Sequence, residues 1–165
     1  MCDKFDKDAW ATPQWLFDWQ ESIYDFDVDL CANDDNAKCK KYITKEKDSL
    51  SVDWSKLGWV GWCNPPYSNI SPWVEKAARS ARKGFTTVML IPTPNGEKYY
   101  SSVFSYATAI TFITGRIAFY NPLKKTHITG NTRGSCIVEF GPRSILATQP
   151  RIINIKRDNV KPCYE

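Results

Sequence analysis

The stretch of residues 59–91 constrains the fold more than any other part of the chain. It holds an apolar strand, Trp59–Cys63, a helix that opens at Ser71-Pro72 and ends at Gly84, and a β-branched strand, Thr86–Ile91. A strand, a helix and a second strand in this order imply that the strands pair in parallel through a crossover. The sequence therefore predicts an α/β fold with an open sheet.

Other segments extend this sheet. A helix is predicted from about residue 14, with Thr12 as its N-cap and Pro13 at its first position. Phe26–Cys31 alternates apolar and polar residues, as a strand does. Four further strands are predicted near Ala109–Thr114, Arg116–Tyr120, Cys136–Phe140 and Arg151–Ile155. Because this end of the chain is rich in hairpins, we expect a mostly parallel sheet with an antiparallel C-terminal edge.

Length and composition limit the class of protein. The 165 residues suit a single domain, residues 1–165, and a hydrophobic share of 42% can supply its core. The longest strongly apolar run, Val88–Pro92, is far shorter than the ~20 residues of a membrane span, and the N-terminus has no apolar signal segment. We expect a soluble intracellular protein with no membrane partner.

Cysteine and histidine usage argues against a metal site. The six cysteines include no C-x-x-C pair, and His127 is the single histidine. A structural zinc site normally has at least one close pair of ligands, so we expect no bound metal. We interpret the cysteines as ordinary thiols in a reducing compartment.

Charge divides the chain into two unlike halves. Residues 1–63 carry 8 basic and 13 acidic side chains, whereas residues 64–165 carry 14 basic and 5 acidic ones. A segregated basic half can attract a polyanion by neutralising phosphates and releasing counterions. A solvated surface with an uneven distribution of charge explains the counts equally well, so charge alone leaves both interpretations open.

The segment that follows the strand Trp59–Cys63 carries the chemistry. Asn64-Pro65-Pro66-Tyr67 contains two prolines without backbone N–H groups, so the carbonyls of this turn stay available as acceptors. The Asn64 side-chain oxygen and the Pro65 carbonyl can together accept both hydrogens of one exocyclic amino group, and Tyr67 offers a face for stacking. Two such acceptors stabilise the positive charge that develops when an aromatic amine is alkylated. The alternative is a diproline turn that only ends a strand.

This motif resembles the catalytic motif of amino-group methyltransferases that use S-adenosylmethionine. Further collinear stretches make the chain similar to the phage-type DNA N6-adenine methyltransferases (Dam type). These stretches are Trp10–Pro13, Val28–Ala32, Asn36–Cys39, Asp48–Leu50, Pro72–Ala77, Val88–Pro92 and Gly115–Phe119.

The resemblance implies a Rossmann-like methyltransferase fold and methyl transfer from S-adenosylmethionine to the N6 amino group of adenine. The substrate would be double-stranded DNA with the adenine flipped out of the stack, within a short palindrome such as GATC. The location would be the cytoplasm of a bacterial host cell. The alternatives are a cytosine-N4 or protein-glutamine methyltransferase and a non-catalytic DNA-binding module.

The resemblance also assigns site residues. Thr12-Pro13 would lie near the amino-acid end of the cofactor, Asp29 would hold its amine, and Asp48 would lie near its adenine. The turn Cys31–Asn36 lacks the Gly-rich pattern of most related enzymes, as it does in the phage-type family. The predicted cofactor-binding residues are Trp10, Thr12, Pro13, Asp29, Ala32, Asn36 and Asp48, and the predicted catalytic residues are Asn64, Pro65, Pro66 and Tyr67.

DNA contacts are expected from the basic half of the chain. By resemblance, Arg116 and Phe119 would face DNA or the flipped base. The chain has no room for a separate target-recognition domain, so we expect the polar loop of residues 121–134 to read base edges or phosphates. Within it, Arg133 is the candidate for a guanine contact. The predicted DNA-binding residues are Lys76, Arg116, Phe119, Lys124, Lys125 and Arg133.

Overall fold

The computed structural model describes residues 10–121, 125–128, 132–143 and 148–160. Within these residues the fold is built from three α-helices and eight β-strands, together with short 3-10 turns. The helices are α1 (Gln14–Tyr24), α2 (Ser71–Ala81) and α3 (Tyr99–Tyr106). The strands are β1 (Val28–Asp29), β2 (Val60–Cys63), β3 (Thr86–Pro92), β4 (Ala109–Thr114), β5 (Phe119–Asn121), β6 (Thr126–Ile128), β7 (Ser135–Phe140) and β8 (Arg151–Lys156).

Six of these strands form one sheet in the order β1-β2-β3-β7-β4-β8. The neighbours β1 and β2, β2 and β3, and β4 and β8 pair in parallel, whereas β7 is antiparallel to both β3 and β4. Strands β5 and β6 form a separate antiparallel hairpin. The mostly parallel α/β sheet predicted from the sequence is thus confirmed.

Two hydrophobic cores lie on opposite faces of the sheet. On one face, α2 and α3 pack through side chains such as Trp73, Val74 and Val103 against buried residues of the strands. On the other face, Leu16 and Phe17 of α1 pack against a second group of strand residues. This layering buries both faces of the central strands, which explains why β3 is buried at every position after Thr86 and is a continuous apolar run from Val88 onward.

The antiparallel strand lies inside the sheet, not at its predicted C-terminal edge. β7 is buried at every position except Glu139, so it needs a neighbour on each side, while β8 is exposed at nearly every position and can serve as an edge. The strand predicted over Arg116–Tyr120 begins only at Phe119, and β6 falls within the predicted loop of residues 121–134.

The carboxyl ends of the parallel strands meet at one edge of the sheet, which we call the carboxyl edge. The segments there are the ends of β1 at Asp29, β2 at Cys63, β3 at Pro92 and β4 at Thr114. Because β7 runs the other way, its first residue lies at this same edge, and the Thr93 N–H donates to the Gly134 carbonyl at 2.9 Å. In open α/β sheets this edge is where ligands bind.

Two further findings on the described residues concern metal ions and membrane spans. Across the described segments, no three His, Cys, Asp or Glu side chains come together in a way that could hold a metal ion. The helices seen in the same segments are too short or too polar to cross a membrane.

Candidate active site

Asn64-Pro65-Pro66-Tyr67, which we call the diproline corner, follows directly after β2. The segment before α1 anchors the Asn64 side chain there. Its Nδ2 donates to the backbone carbonyl of Trp10 at 3.1 Å, across 54 positions of sequence. This bond fixes the orientation of the amide group. The Oδ1 atom is buried and has no hydrogen-bond partner. An unused acceptor in such a position is costly for folding, which makes it a candidate for binding an external donor.

A second acceptor lies on the next residue. Among the described residues, no donor forms a hydrogen bond to the Pro65 carbonyl. The following carbonyl, that of Pro66, accepts from the Asn69 N–H at 3.3 Å and so closes the turn. The corner therefore keeps two acceptors without partners among the described residues, Asn64 Oδ1 and the Pro65 carbonyl, whereas the expectation that every carbonyl of the turn stays available is wrong for Pro66.

Three aromatic rings pack together beside this corner. Phe119, which is 1% exposed, lies between the other two. Its ring centroid is 5.8 Å from that of Trp10 and 6.1 Å from that of Tyr67, and the Tyr67 ring stands edge-on at 89°. The Tyr67 hydroxyl points inward and donates to the Leu90 carbonyl at 3.4 Å, and its burial raises the pKa of this phenol well above the usual value.

The segment before α1 is tied to the β5–β6 hairpin. Ala11 and Tyr120 exchange two backbone hydrogen bonds of 2.9 and 3.0 Å. The predicted N-cap is wrong: α1 begins at Gln14 with Pro13 in the N-cap position, and the Pro13 carbonyl accepts from the first turn. The Thr12 hydroxyl is buried and has no partner. It is a second unused polar atom in the segment that anchors Asn64.

Asp29, at the end of β1, is 2% exposed. Its two carboxylate oxygens accept from the backbone N–H groups of Cys31 at 3.2 Å and Lys38 at 3.0 Å. Burial raises the pKa of this carboxyl to about 6, and the two N–H groups offset only part of that effect. The carboxyl therefore holds the turn of residues 31–38 in place, and its charge has no ion-pair partner within 4.0 Å among the described residues.

The other predicted cofactor residues lie on turns beyond β1. Ala32 donates its N–H to the Ile43 carbonyl at 3.0 Å. The Asn36 side-chain oxygen accepts from the Asn33 N–H at 2.7 Å, so it stabilises the Gly-poor turn itself. Asp48 is exposed and has a left-handed backbone with φ of 46°. Residues 41–43 run parallel to β1, which brings the chain leading to Asp48 to the carboxyl edge.

The predicted DNA-binding residues fall into three places. Phe119 is 1% exposed among the aromatic rings beside the diproline corner, so it does not face DNA from the surface as predicted. Arg116 is exposed, and its Nη1 lies 3.5 Å from the point where a Cβ of Gly134 would stand, so it lies at the carboxyl edge against the start of the β7 segment. Lys125 is exposed in the β5–β6 turn, and Lys124 lies outside the described residues. Lys76 is elsewhere, on α2, where its Nζ donates to the Leu50 carbonyl at 3.1 Å.

Two residues at the carboxyl edge were missed by the sequence analysis. Glu97 forms an ion pair with Arg133 and also accepts from the Asn95 N–H at 2.8 Å. The Tyr99 hydroxyl is buried without a hydrogen-bond partner, and burial raises its pKa to about 12. Both follow the end of β3, and this position after a buried strand was the available signal.

The described chain has an α/β fold with two unused acceptors at its carboxyl edge, Asn64 Oδ1 and the Pro65 carbonyl. Comparison with known proteins identifies the family. The family model described as DNA N-6-adenine-methyltransferase (Dam) matches residues 2–160. The chain belongs to this DNA N-6-adenine-methyltransferase family.

Two phage relatives agree with that assignment. A DNA N-6-adenine-methyltransferase of Haemophilus phage HP1 is 37% identical over 145 residues, which cover 86% of this chain and 83% of the relative. A DNA N-6-adenine-methyltransferase of Escherichia phage T1 is 29% identical over 147 residues, which cover 79% of this chain and 61% of the relative.

Proposed function

We propose that this protein transfers a methyl group from S-adenosylmethionine to the exocyclic N6 amino group of adenine in DNA. The observation that carries the proposal is the pair of unused acceptors on Asn64 and Pro65. They belong to consecutive residues at the carboxyl edge, and Trp10 fixes the orientation of the amide. The family and its phage relatives support the same reaction.

The two acceptors activate the adenine amine and stabilise the charge that forms on its nitrogen. The adenine amine is a weak nucleophile because its lone pair is delocalised into the ring. When Asn64 Oδ1 and the Pro65 carbonyl each accept one N–H, the nitrogen is favoured in a pyramidal form with its lone pair directed outward. The same dipoles stabilise the positive charge that develops on nitrogen. The extra proton then leaves to water, so His127 is not required as a base.

Two buried polar groups on neighbouring segments fit S-adenosylmethionine, which supplies an electrophilic methyl carbon when bound. The Thr12 hydroxyl is buried without a partner, and the Asp29 carboxyl is buried without a counter-charge within 4.0 Å in the described chain. A protonated amine beside Asp29 would favour its ionised form and offset the cost of its burial. Thr12 and Asp29 would therefore hold the amino-acid end of the cofactor, and Asp48 its adenine end.

DNA would approach the rim formed by Arg116, Lys125 and Arg133. We propose a duplex substrate whose adenine leaves the stack, because a paired adenine does not present its amine to a corner this deep. A short palindrome such as GATC would be the target. The protein would work as a single Rossmann-like domain in the cytoplasm of a bacterial host cell. The support is the exposed Arg116 at the carboxyl edge and the six-stranded sheet to which that edge belongs.

The test is transfer of label from methyl-labelled cofactor to duplex DNA, followed by digestion of the product to nucleosides. We expect the label in N6-methyl-2′-deoxyadenosine. Label in N4-methylcytosine would move the substrate to cytosine, and a folded protein that labels no DNA would refute the proposal. Sequencing of the product with modified bases identified would then define the target site.

A further inference from the structure

A second recess lies at the opposite edge of the sheet, where α2, α3 and β7 end. It encloses about 490 Å³. Its lining includes Ala78, Arg82, Gly84, Tyr106, Gly141 and Arg143. β3 has seven residues and runs from this edge to the carboxyl edge, so roughly 20 Å separate the recess from the diproline corner. The proposed methyl transfer makes no use of it.

The Arg143 guanidinium is only partly satisfied in this recess. Its Nη1 donates to the Ser105 carbonyl at 2.6 Å, near the end of α3. Its Nε and Nη2 are buried and have no hydrogen-bond partner. These two nitrogens carry their hydrogens along the same side of the planar group, which is the side that binds two oxygens of one anion. An arginine cannot lose its proton to relieve this burial, so an acceptor is missing.

A second guanidinium lies in the same recess. Arg82 stands over the Tyr106 ring at 5.5 Å from the ring centroid, which orients its planar group. No carboxylate in the described chain lies within 4.0 Å of the charged nitrogens of Arg82 or Arg143. The recess therefore brings together two positive charges without a counter-charge.

The acidic side chains in the neighbourhood are occupied by other partners. Asp53 pairs with Lys83 at 2.9 Å. Glu139 accepts from the hydroxyls of Tyr24 and Thr108. Tyr24 belongs to α1, on the face of the sheet away from α2 and α3, so Glu139 is directed away from the recess. Neither carboxylate is free to neutralise the two arginines.

We propose that this recess binds a phosphate dianion, either free phosphate or the terminal phosphate of a monoester. The dianion matches the two positive charges, whereas a carboxylate would leave one of them uncompensated. Arg143 would donate two parallel hydrogen bonds from Nε and Nη2, and Arg82 would contact a further oxygen. The guanidinium would turn these two nitrogens toward the recess as the anion enters, and the bonds that form would be charge-assisted and parallel.

The test uses the full chain and inorganic phosphate as the probe. At a pH of about 8, where phosphate is a dianion, we expect phosphate to raise the melting temperature above its value in sodium chloride of equal ionic strength. Titration calorimetry would give the dissociation constant. An equal melting temperature in the two salts, with no binding heat, would overturn the proposal.

Three variants test whether phosphate binding depends on the proposed arginine geometry or only on the positive charge of the surface. Arg143→Gln and Arg82→Gln should each weaken phosphate binding about tenfold or more, because each removes a charged donor. Arg143→Lys keeps the charge and loses the parallel pair of bonds, so it should also bind more weakly, and it serves if Arg143→Gln does not fold. Arg79→Gln is the matched control, an exposed cation on the same helix that pairs with Glu75. Equal loss in the control would refute the site.

Further arms distinguish the source of the phosphate. A nucleoside 5′-monophosphate that binds as tightly as phosphate would identify a monoester, and a weaker one would identify the free anion. Duplex DNA without terminal phosphates carries only diesters and should leave the recess unoccupied, so competition by this duplex would contradict the dianion assignment. None of these measurements depends on methyl transfer, and a failure of either proposal leaves the other standing.

Discussion

The geometry of Asn64 leads to a quantitative prediction. Asn64→Ala removes one of two acceptors aimed at the charge that develops on the amine, and loss of one such group typically lowers kcat about 10²–10³-fold, or roughly 3–4 kcal/mol. The variant also loses the 3.1 Å bond from Nδ2 to the Trp10 carbonyl, worth about 1 kcal/mol. A loss of this size lowers Tm by only ~2–4 °C in a chain of this length. The protein should stay folded while turnover falls.

A second substitution at Asn64 tests the same contact through the direction in which turnover changes with pH. In Asn64→Asp, a carboxylate oxygen would replace the Nδ2 that donates to the Trp10 carbonyl, so two acceptors would face each other. Protonation of the introduced carboxyl would restore a donor to that carbonyl. We therefore expect the turnover of Asn64→Asp to rise as the pH falls, relative to the wild type at each pH.

The assay is single-turnover transfer of labelled methyl to duplex DNA, with calorimetry to measure S-adenosylmethionine binding. Asn64→Ala should bind the cofactor with an affinity close to that of the wild type. Asn69→Ala is the matched control, because its exposed side chain lies in the same turn. The reasoning fails if Asn64→Ala keeps more than about a tenth of wild-type kcat, or if Asn69→Ala loses as much.

Three further predictions concern neighbouring groups. Burial raises the folded-state pKa of Asp29 to about 6, so the free energy of unfolding should fall by up to about 3 kcal/mol as pH rises from ~4 to ~6. Urea titrations should show that Asp29→Asn removes this dependence on pH, and an unchanged dependence would contradict the assignment to Asp29. Glu97→Gln removes the carboxylate that pairs with Arg133, so the affinity for duplex DNA should rise at low salt, and an unchanged affinity would count against a DNA-facing Arg133. Tyr24→Phe leaves Glu139 without one donor and should cost about 1–3 kcal/mol in denaturant unfolding, whereas a neutral result would make that hydrogen bond unimportant.

The parts of the fold that the sequence predicted are those with a strong local pattern. β2 and β3 form where the sequence has apolar runs, and α2 lies between a proline near its start and a glycine after its end. Each of these elements has nearly the residue range that was predicted. α3 was missed because tyrosine, serine, valine and phenylalanine are weak helix formers. Its stability comes from tertiary packing, since Tyr100 and Val103, one turn apart, are 5% and 0% exposed.

In the candidate site, too, the sequence predicted local features and missed the contacts between distant residues. The two adjacent prolines predict locally that the chain leaves the sheet after β2, but they do not decide which carbonyl of the turn is used, since Pro66 accepts from Asn69 and Pro65 does not accept from any described residue. The contacts that orient the site join distant residues: Asn64 with Trp10, and Arg133 with Glu97. A single sequence holds no local pattern for such pairs, because they depend on which strands become neighbours.

The direction of β7 determines what each edge of the sheet can bind. This strand of six residues spans about 20 Å and fills the place between β3 and β4, which run the opposite way. Its first residue therefore lies at the carboxyl edge, next to the end of β3, and brings Arg133 to that edge, while its last residue leads to Arg143 in the far recess. A parallel β7 would exchange the two ends, so that Arg133 could no longer meet Glu97. One chain reversal thus supplies a charged residue to each of the two proposed sites.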